Sequence, residues 1–170
     1  YENSGFEILF SQIGFSYTQK KFVRDEFANK FFVEIHKDPY MLLQRIPRLS
    51  FEKIENIISI FGIEVSLEQK IVAATRHALM QSEAERGNTC GPMERVLLRT
   101  QEITKNDFET IQRAISSHDH LFNNFKVQDK EFLETIEACE RDNDIAQQIY
   151  LIKDNFKPIK GKKFSANKNA

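Results

Sequence analysis

The chain of 170 residues predicts an all-α fold, and three observations carry that expectation. Only 6 Gly and 4 Pro punctuate it, about half the usual share of roughly 12%, so turn-formers are too few for a many-stranded sheet. Apolar residues, 41% of the chain with 15 Phe and no Trp, recur at helical spacing along most of its length. Residues that start and stop helices stand at the ends of those periodic runs.

Phe6, Leu9, Phe10 and Ile13 share one helical face, and Gly14 is a natural stop. "FSYTQKKFVRDEFANKFF" resumes the helix with Ser16 or Thr18 as cap; Phe22, Val23 and Phe27 form its apolar face, which Phe31 and Phe32 extend. Asp38-Pro39 sets a capping carboxylate before a proline, and the helix it opens, 38–45, stops at Pro47. Leu49 or Ser50 opens the next, whose Ile54, Ile57, Ile58 and Phe61 form one stripe before Gly62. Ser66 with Gln69 is a capping box; Ile71, Val72, Ala74, Ala78 and Leu79 make the buried side of that helix, and Gly87 closes it. "NTCGPMERVLLRTQEI" reads as a short extended stretch turning at Gly91-Pro92 into a brief helix. "TKNDFETIQRAISSHDHLF" is a capped helix with Phe108, Ile111 and Ile115 inward, and "DKEFLETIEACERDNDIAQQIYLI" carries one or two more. The pattern leaves room for a small hairpin beside the helices.

Several function classes are excluded or disfavoured. No stretch approaches the roughly 20 apolar residues of a spanning helix, so no membrane partner is expected. Cys90 and Cys139 cannot build a disulfide framework or a four-ligand zinc site; they read as small apolar fillers in a reducing, intracellular setting. His118, Asp119 and His120 lie close in sequence but lack a converging partner cluster, so no metal or other cofactor is expected. A Gly-x-x-x-x-Gly-Lys-Ser/Thr phosphate loop is missing, and nothing pairs a nucleophile with a base. The chain is therefore not expected to be an enzyme. It begins without Met in the middle of an apolar pattern, as a piece of a longer protein would.

The formal net charge of −1 conceals an uneven distribution. Residues 1–100 balance 13 Lys+Arg against 13 Asp+Glu, 101–154 hold 6 against 12, and 155–170 hold five lysines and no acid. We expect three parts: a domain over 1–100, an acidic helical extension over 101–154, with a winged-helix-like continuation as its alternative, and a basic flexible tail or linker over 155–170. A domain that grips duplex DNA by bulk charge is normally basic; this one is not.

Two units share a plan of apolar helix, short turn, and a helix opening on small or basic residues. One is Leu9–Phe27 around Gly14-Phe15-Ser16, the other Leu42–Phe61 around Arg48-Leu49-Ser50. Such helix-hairpin-helix units leave the first amides of the second helix unpaired and facing outward, where they and the positive end of the dipole accept a phosphate. The plainer reading is two antiparallel helices joined by a turn, with Lys20, Lys21 and Arg24 on a solvated face.

"DPYMLLQRIPRLSFEKIENIISIFGI" resembles the region that precedes the motor in RecD-like superfamily 1B DNA helicases, through Asp38, Pro39, Tyr40, Leu42, Ile46, Leu49, Phe51, Ile57, Gly62 and Ile63. "RHALMQSEAERGNTCGPMERVLL" is similar to a following stretch of that family at Arg76, Leu79, Glu83, Gly87, Thr89, Pro92 and Leu97, and "LFSQIGFSYTQKKF" to its first hairpin at Gly14 and Ser16. The resemblance spans roughly residues 6–100, with its three pieces in the family's order. It departs where the family's second hairpin has glycines and this chain has Arg48 and Ser50.

The resemblance implies a tandem helix-hairpin-helix accessory domain of a DNA helicase, placed beside the motor of the same parent chain. Positional contact with the phosphates of single-stranded or forked DNA is expected from Gly14, Ser16, Thr18, Lys20, Lys21, Arg48, Ser50 and Lys53, weak and salt-dependent because few charges are present. The alternative is a protein-interaction module of a helicase, repair or replication protein, with hairpins that no longer bind DNA and a partner docked through 101–154.

Overall fold

A computed structural model describes residues 2–27 and 30–155. Helix α1 (Glu2–Ile13) ends at Gly14 in the left-handed region, φ +80°, where the amide of Phe15 donates back to the Phe10 carbonyl at 2.9 Å. α2 (Tyr17–Phe27) follows on Ser16. The expected extension of its face through Phe31 and Phe32 is corrected: those residues open a separate helix, α3 (Phe31–Lys37). The helix expected over 38–45 is a 3-10 turn (Pro39–Met41), capped by Asp38 at the Tyr40 amide, leading into the short α4 (Leu42–Arg45). α5 (Phe51–Phe61) is capped by Ser50 and ends at left-handed Gly62.

These elements close over a phenylalanine-rich core. Phe31 meets Phe10 and Phe27 edge-to-face at 5.6 and 5.8 Å between ring centroids, an arrangement the ring quadrupoles favour. Val23, Ile35, Leu42, Ile46, Leu49, Ile54 and Ile57 fill the remainder. Tyr40, stacked on Phe51, donates to Glu55 at 2.9 Å; Glu55 also pairs with Lys70. Burial, with Glu55 beside it, pushes the Tyr40 hydroxyl above the ordinary phenol range.

Helix α6 (Leu67–Arg86) joins this core to a second one. Ala73 and Ala74 face the first core, while Ile71, Val72 and Leu79 face the second. Every residue from 71 to 75 is buried, as expected of a helix covered on more than one side. The second core is completed by Val96 and Leu97 of α7 (Met93–Thr104), Ile111, Ala114 and Ile115 of α8 (Phe108–Ser116), and by Phe122 and Leu133. The boundary expected at residue 100 thus falls inside α7.

The room left for a hairpin is filled by a three-stranded antiparallel sheet: β1 (Cys90–Pro92), β2 (Phe122–Val127) and β3 (Lys130–Thr135) in the order β1-β3-β2. Gly91 lies opposite Leu133, and Phe125 opposite Phe132, whose rings stack. The two-residue tip, Gln128-Asp129, has positive φ at both positions, which matches the twist of the flanking strands. Part of the expected helical extension is therefore strand: "KEFLET" contains good helix formers, but its pairing on both edges outweighs their propensity. Phe108, expected inward, is 40% exposed at the start of α8. The succession α6-β1-α7-α8-β2-β3 is winged-helix topology, with α7–α8 as the helix-turn-helix and β2–β3 as the wing.

α9 (Ile136–Asn155) buries Ala138 and is tied to α6 by Arg76–Glu137 and Arg141–Glu83 ion pairs at 2.6 and 2.7 Å. The tail expected over 155–170 lies, from 156 on, outside the described residues. Among the described residues no three His, Cys, Asp or Glu side chains converge, and no helix is long and apolar enough to cross a membrane.

Candidate nucleic-acid interface

The two hairpins meet at a polar seam made by the first turns of α2 and α5. Ser16 caps α2: its hydroxyl accepts from the Gln19 amide at 3.3 Å, and the Gln19 carboxamide oxygen accepts from the Ser16 amide at 3.1 Å. The carboxamide nitrogen of Gln19 then crosses to the other hairpin. It donates to the carbonyls of Pro47 and Arg48, both at 3.1 Å. Lys53, in the first turn of α5, donates from Nζ to Gln19 Oε1 at 3.1 Å, and its Cε lies 4.0 Å from where a Cβ on Gly14 would stand. One side chain, Gln19, thus holds both turns and a lysine together.

The second turn keeps its shape without glycine. Pro47 and Arg48 are its central residues, the Leu49 amide closes it on the Ile46 carbonyl at 3.3 Å, and Arg48 has φ +54°. Proline followed by positive φ is the pattern of a type II turn, which ordinarily takes glycine at that third position. Arg48 holds a conformation that disfavours any Cβ, fixed by Gln19 on its carbonyl and by buried Ile46 and Leu49 on either side. Ser50, in place of the family's other glycine, is in extended conformation and accepts from the Lys53 amide at 3.4 Å.

Gly14, Ser16, Arg48, Ser50 and Lys53 are therefore gathered in one region, and the first amides of α2 and α5 lack intrahelical acceptors there. Thr18 and Lys21 are exposed on α2. Lys20 stands apart from the seam: its ammonium is bound to Glu7 Oε2 at 3.3 Å and Ser11 Oγ at 2.9 Å, and Glu7 also pairs with Arg24 at 3.1 Å. Glu52 is exposed in the first turn of α5, where it suits the helix dipole but opposes an incoming anion.

Two residues of this region escape the sequence reading. Gln19 carries a readable signal, the same Ser-x-x-Gln spacing that marks Ser66 and Gln69; its reach across to Pro47 and Arg48 has none. Tyr17, the first residue of α2, is 78% exposed, and an aromatic between a cap and a polar turn gives no periodic signal.

The winged-helix unit has a different surface. On α8, Arg113 is paired with Glu109 at 2.9 Å, and exposed Asp107, Gln112 and Ser116 accompany them. On the wing Lys126 is paired with Glu131 at 3.0 Å. Arg113 and Lys126 are thus each balanced by a carboxylate, while Arg95, Lys105 and Lys130 of the same unit are exposed and form no ion pair among the described residues.

Two helix-hairpin-helix units locked side by side and followed by a winged-helix unit define a tandem helix-hairpin-helix protein. The family model of the ATP-dependent RecD2 DNA helicase HHH domain matches residues 3–90. That is more than half of the chain, which belongs to this family. The resemblance read over residues 6–100 is thereby borne out. A search of curated proteins finds no match to the chain.

Proposed function

We propose that this chain is a non-catalytic accessory domain that positions DNA through its phosphate backbone beside a helicase motor, inside the cell. The observation that carries the reading is the seam: Gln19 fixes both hairpin turns and holds the Lys53 ammonium between them. Two helix N-termini and the cations Arg48 and Lys53 then offer donors to one strand's phosphates, with Ser16, Thr18, Lys21 and Ser50 at the margin. Gly14, whose own amide is bound to the Ser11 carbonyl at 3.1 Å, lets the backbone come close. Such contacts set the register of a strand and read no bases. With so few cations, affinity is weak and falls steeply with salt. Lys20 contributes only if Glu7 releases it. On this reading the ATP-driven step belongs to the motor, as the sequence carries no Gly-x-x-x-x-Gly-Lys-Ser/Thr phosphate loop.

Fluorescence anisotropy with labelled single-stranded and forked DNA, at low and moderate salt, tests the reading. Binding that weakens with salt and with Lys53→Glu or Arg48→Glu is the expected result. Binding untouched by both reversals would overturn it.

A second reading is favoured by the acidic surface of α8 and α9: a protein-docking role for the winged-helix unit. It predicts that charge reversal at Asp107, Glu109 and Glu137 weakens association with the motor or another protein while leaving DNA binding intact. Loss of DNA binding in those variants, with association unchanged, would exclude it.

A further inference from the structure

We propose that Tyr17 is a stacking platform for an unpaired base, and that it makes the hairpin face selective for single-stranded DNA over duplex. This rests on the phosphate-binding reading above and adds to it a contact with a base. The chain buries its aromatic rings freely: Phe10, Phe15, Phe27 and Phe31 are all at most 5% exposed and pack on one another. Tyr17 breaks that habit. Among the described residues it is the most exposed of the large apolar side chains, at 78%, ahead of Tyr150 at 66%. Among the described residues its ring meets no other ring and its hydroxyl has no hydrogen-bond partner. A tyrosine exposed in this way keeps an apolar ring face free for a ligand to cover.

Its position says which ligand. Tyr17 directly follows the Ser16 cap, and two residues on, Gln19 clamps the first turn of α2 to hairpin two. The ring therefore leaves a fixed backbone at the N-terminus of α2, beside exposed Gly14, Ser16 and Thr18 and one turn before exposed Lys21. A strand whose phosphates run along these donors brings its bases to the ring. Stacking needs a free π-face, which an unpaired base offers and a base inside a duplex does not. Phosphate contacts alone are nearly blind to that difference. A flat apolar ring beside phosphate donors turns a backbone clamp into a single-strand clamp.

The test uses anisotropy at low salt with three labelled probes of equal length: oligo-dT, an abasic strand with the same phosphates, and a blunt duplex. Tyr17→Ala is expected to lower affinity for oligo-dT by about 5- to 150-fold, the usual worth of one base on an aromatic side chain. It should change abasic and duplex binding by less than about twofold, and Tyr17→Phe should keep the parent's preference, because stacking needs the ring and not the hydroxyl. Equal losses on all three probes, or no loss on oligo-dT, would overturn the stacking role while leaving the seam intact. Failure of the phosphate reading shows separately, as no binding by the parent or binding indifferent to Lys53→Glu and Arg48→Glu; that result overturns both. Far-ultraviolet circular dichroism of the Ala variant confirms that α2 persists.

Discussion

Gln19 binds the carbonyl of Arg48 at 3.1 Å across 29 residues, from a side chain that is only 4% exposed. Its amide nitrogen also serves Pro47, and its oxygen serves Ser16 and Lys53. A single buried carboxamide thus makes four contacts and joins the two hairpins. Truncation in Gln19→Ala strands two carbonyls and an ammonium where water has limited access. We expect a loss of about 2–3 kcal/mol, from polar groups left unsatisfied. Urea unfolding reads it as a lower midpoint with an unchanged slope. An Ala variant as stable as the parent would show that the seam contributes nothing to holding the hairpins.

The left-handed Arg48 makes an ordering prediction. Arg48→Gly relieves about 1–2 kcal/mol of Cβ strain and adds roughly 0.5–1 kcal/mol of chain entropy to the unfolded state. The variant should therefore stay within about 1 kcal/mol of the parent. Arg48→Val brings a β-branched side chain to the same φ and should cost more, about 2 kcal/mol. Thermal denaturation should rank the three as Gly, Arg, Val or as Gly and Arg together above Val. Val equal to Arg would mean the turn is not left-handed.

What was legible in the sequence was local. Gly14, Gly62 and Gly87 all end helices with positive φ, as an achiral residue after a periodic run suggests. Ser66 and Gln69 form both bonds of the capping box, and Ile54 and Ile57 are fully buried on their stripe. The wing was illegible because its strands owe their state to remote partners. Lys130–Thr135 pairs with Cys90–Pro92 some forty residues earlier, and nothing in Lys-Glu-Phe-Leu-Glu-Thr announces that. The candidate site divides in the same way. Gly14, Ser16 and Lys53 were readable as hairpin parts, but the pairing of Lys20 with Glu7 and the bridge from Gln19 depend on packing between elements.

Gly91 tests the junction of β1 with the helix-turn-helix. A Cβ there would stand 2.8 Å from Val96 Cγ2 and 3.4 Å from Leu79 Cδ2, both in the second core. Neither is the end of a long flexible side chain, so Gly91→Ala must displace packed atoms. The expected cost is about 1–3 kcal/mol, typical of overpacking. Near-ultraviolet dichroism and a thermal melt measure it. A neutral result would show that β1 does not press on α7 as closely as its backbone implies.

His77 predicts an acid limb of stability. It is buried beside Phe51, and Gln81 Nε2 lies 3.0 Å from its Nε2, a donor suited to an unprotonated ring nitrogen. Burial lowers its pKa in the fold. Asp38, Arg76 and His118 line the same cleft, so His77 is one of several charges there. As pH falls below about 6.5 the unfolded chain binds a proton that the folded chain still refuses, so stability decreases toward acid. Above that range this term is constant. Urea midpoints at pH 7.5 and 5.5 should converge in His77→Gln relative to the parent. An undiminished acid loss in the variant would assign it to other groups.

Glu7 sets how much positive charge the first hairpin can offer. It engages both Lys20 and Arg24, and the Lys20 side chain keeps only 16% of its exposure. On the proposed reading Glu7 competes with phosphate for two cations that stand one turn and two turns into α2. Glu7→Gln removes the competitor without removing the side chain's bulk. Its stability cost should stay below about 1 kcal/mol, because partly exposed ion pairs contribute little. Its effect on DNA should be larger. Affinity for single strands at low salt should rise, and the slope of log affinity against log salt should steepen by about 0.7 for each freed cation that reaches a phosphate. Parent and variant should converge at high salt, where the added charge is screened. Equal affinity and equal slope for the two proteins would place Lys20 and Arg24 off the path of the strand and leave Arg48, Lys53 and Lys21 to account for all of the charge-dependent binding.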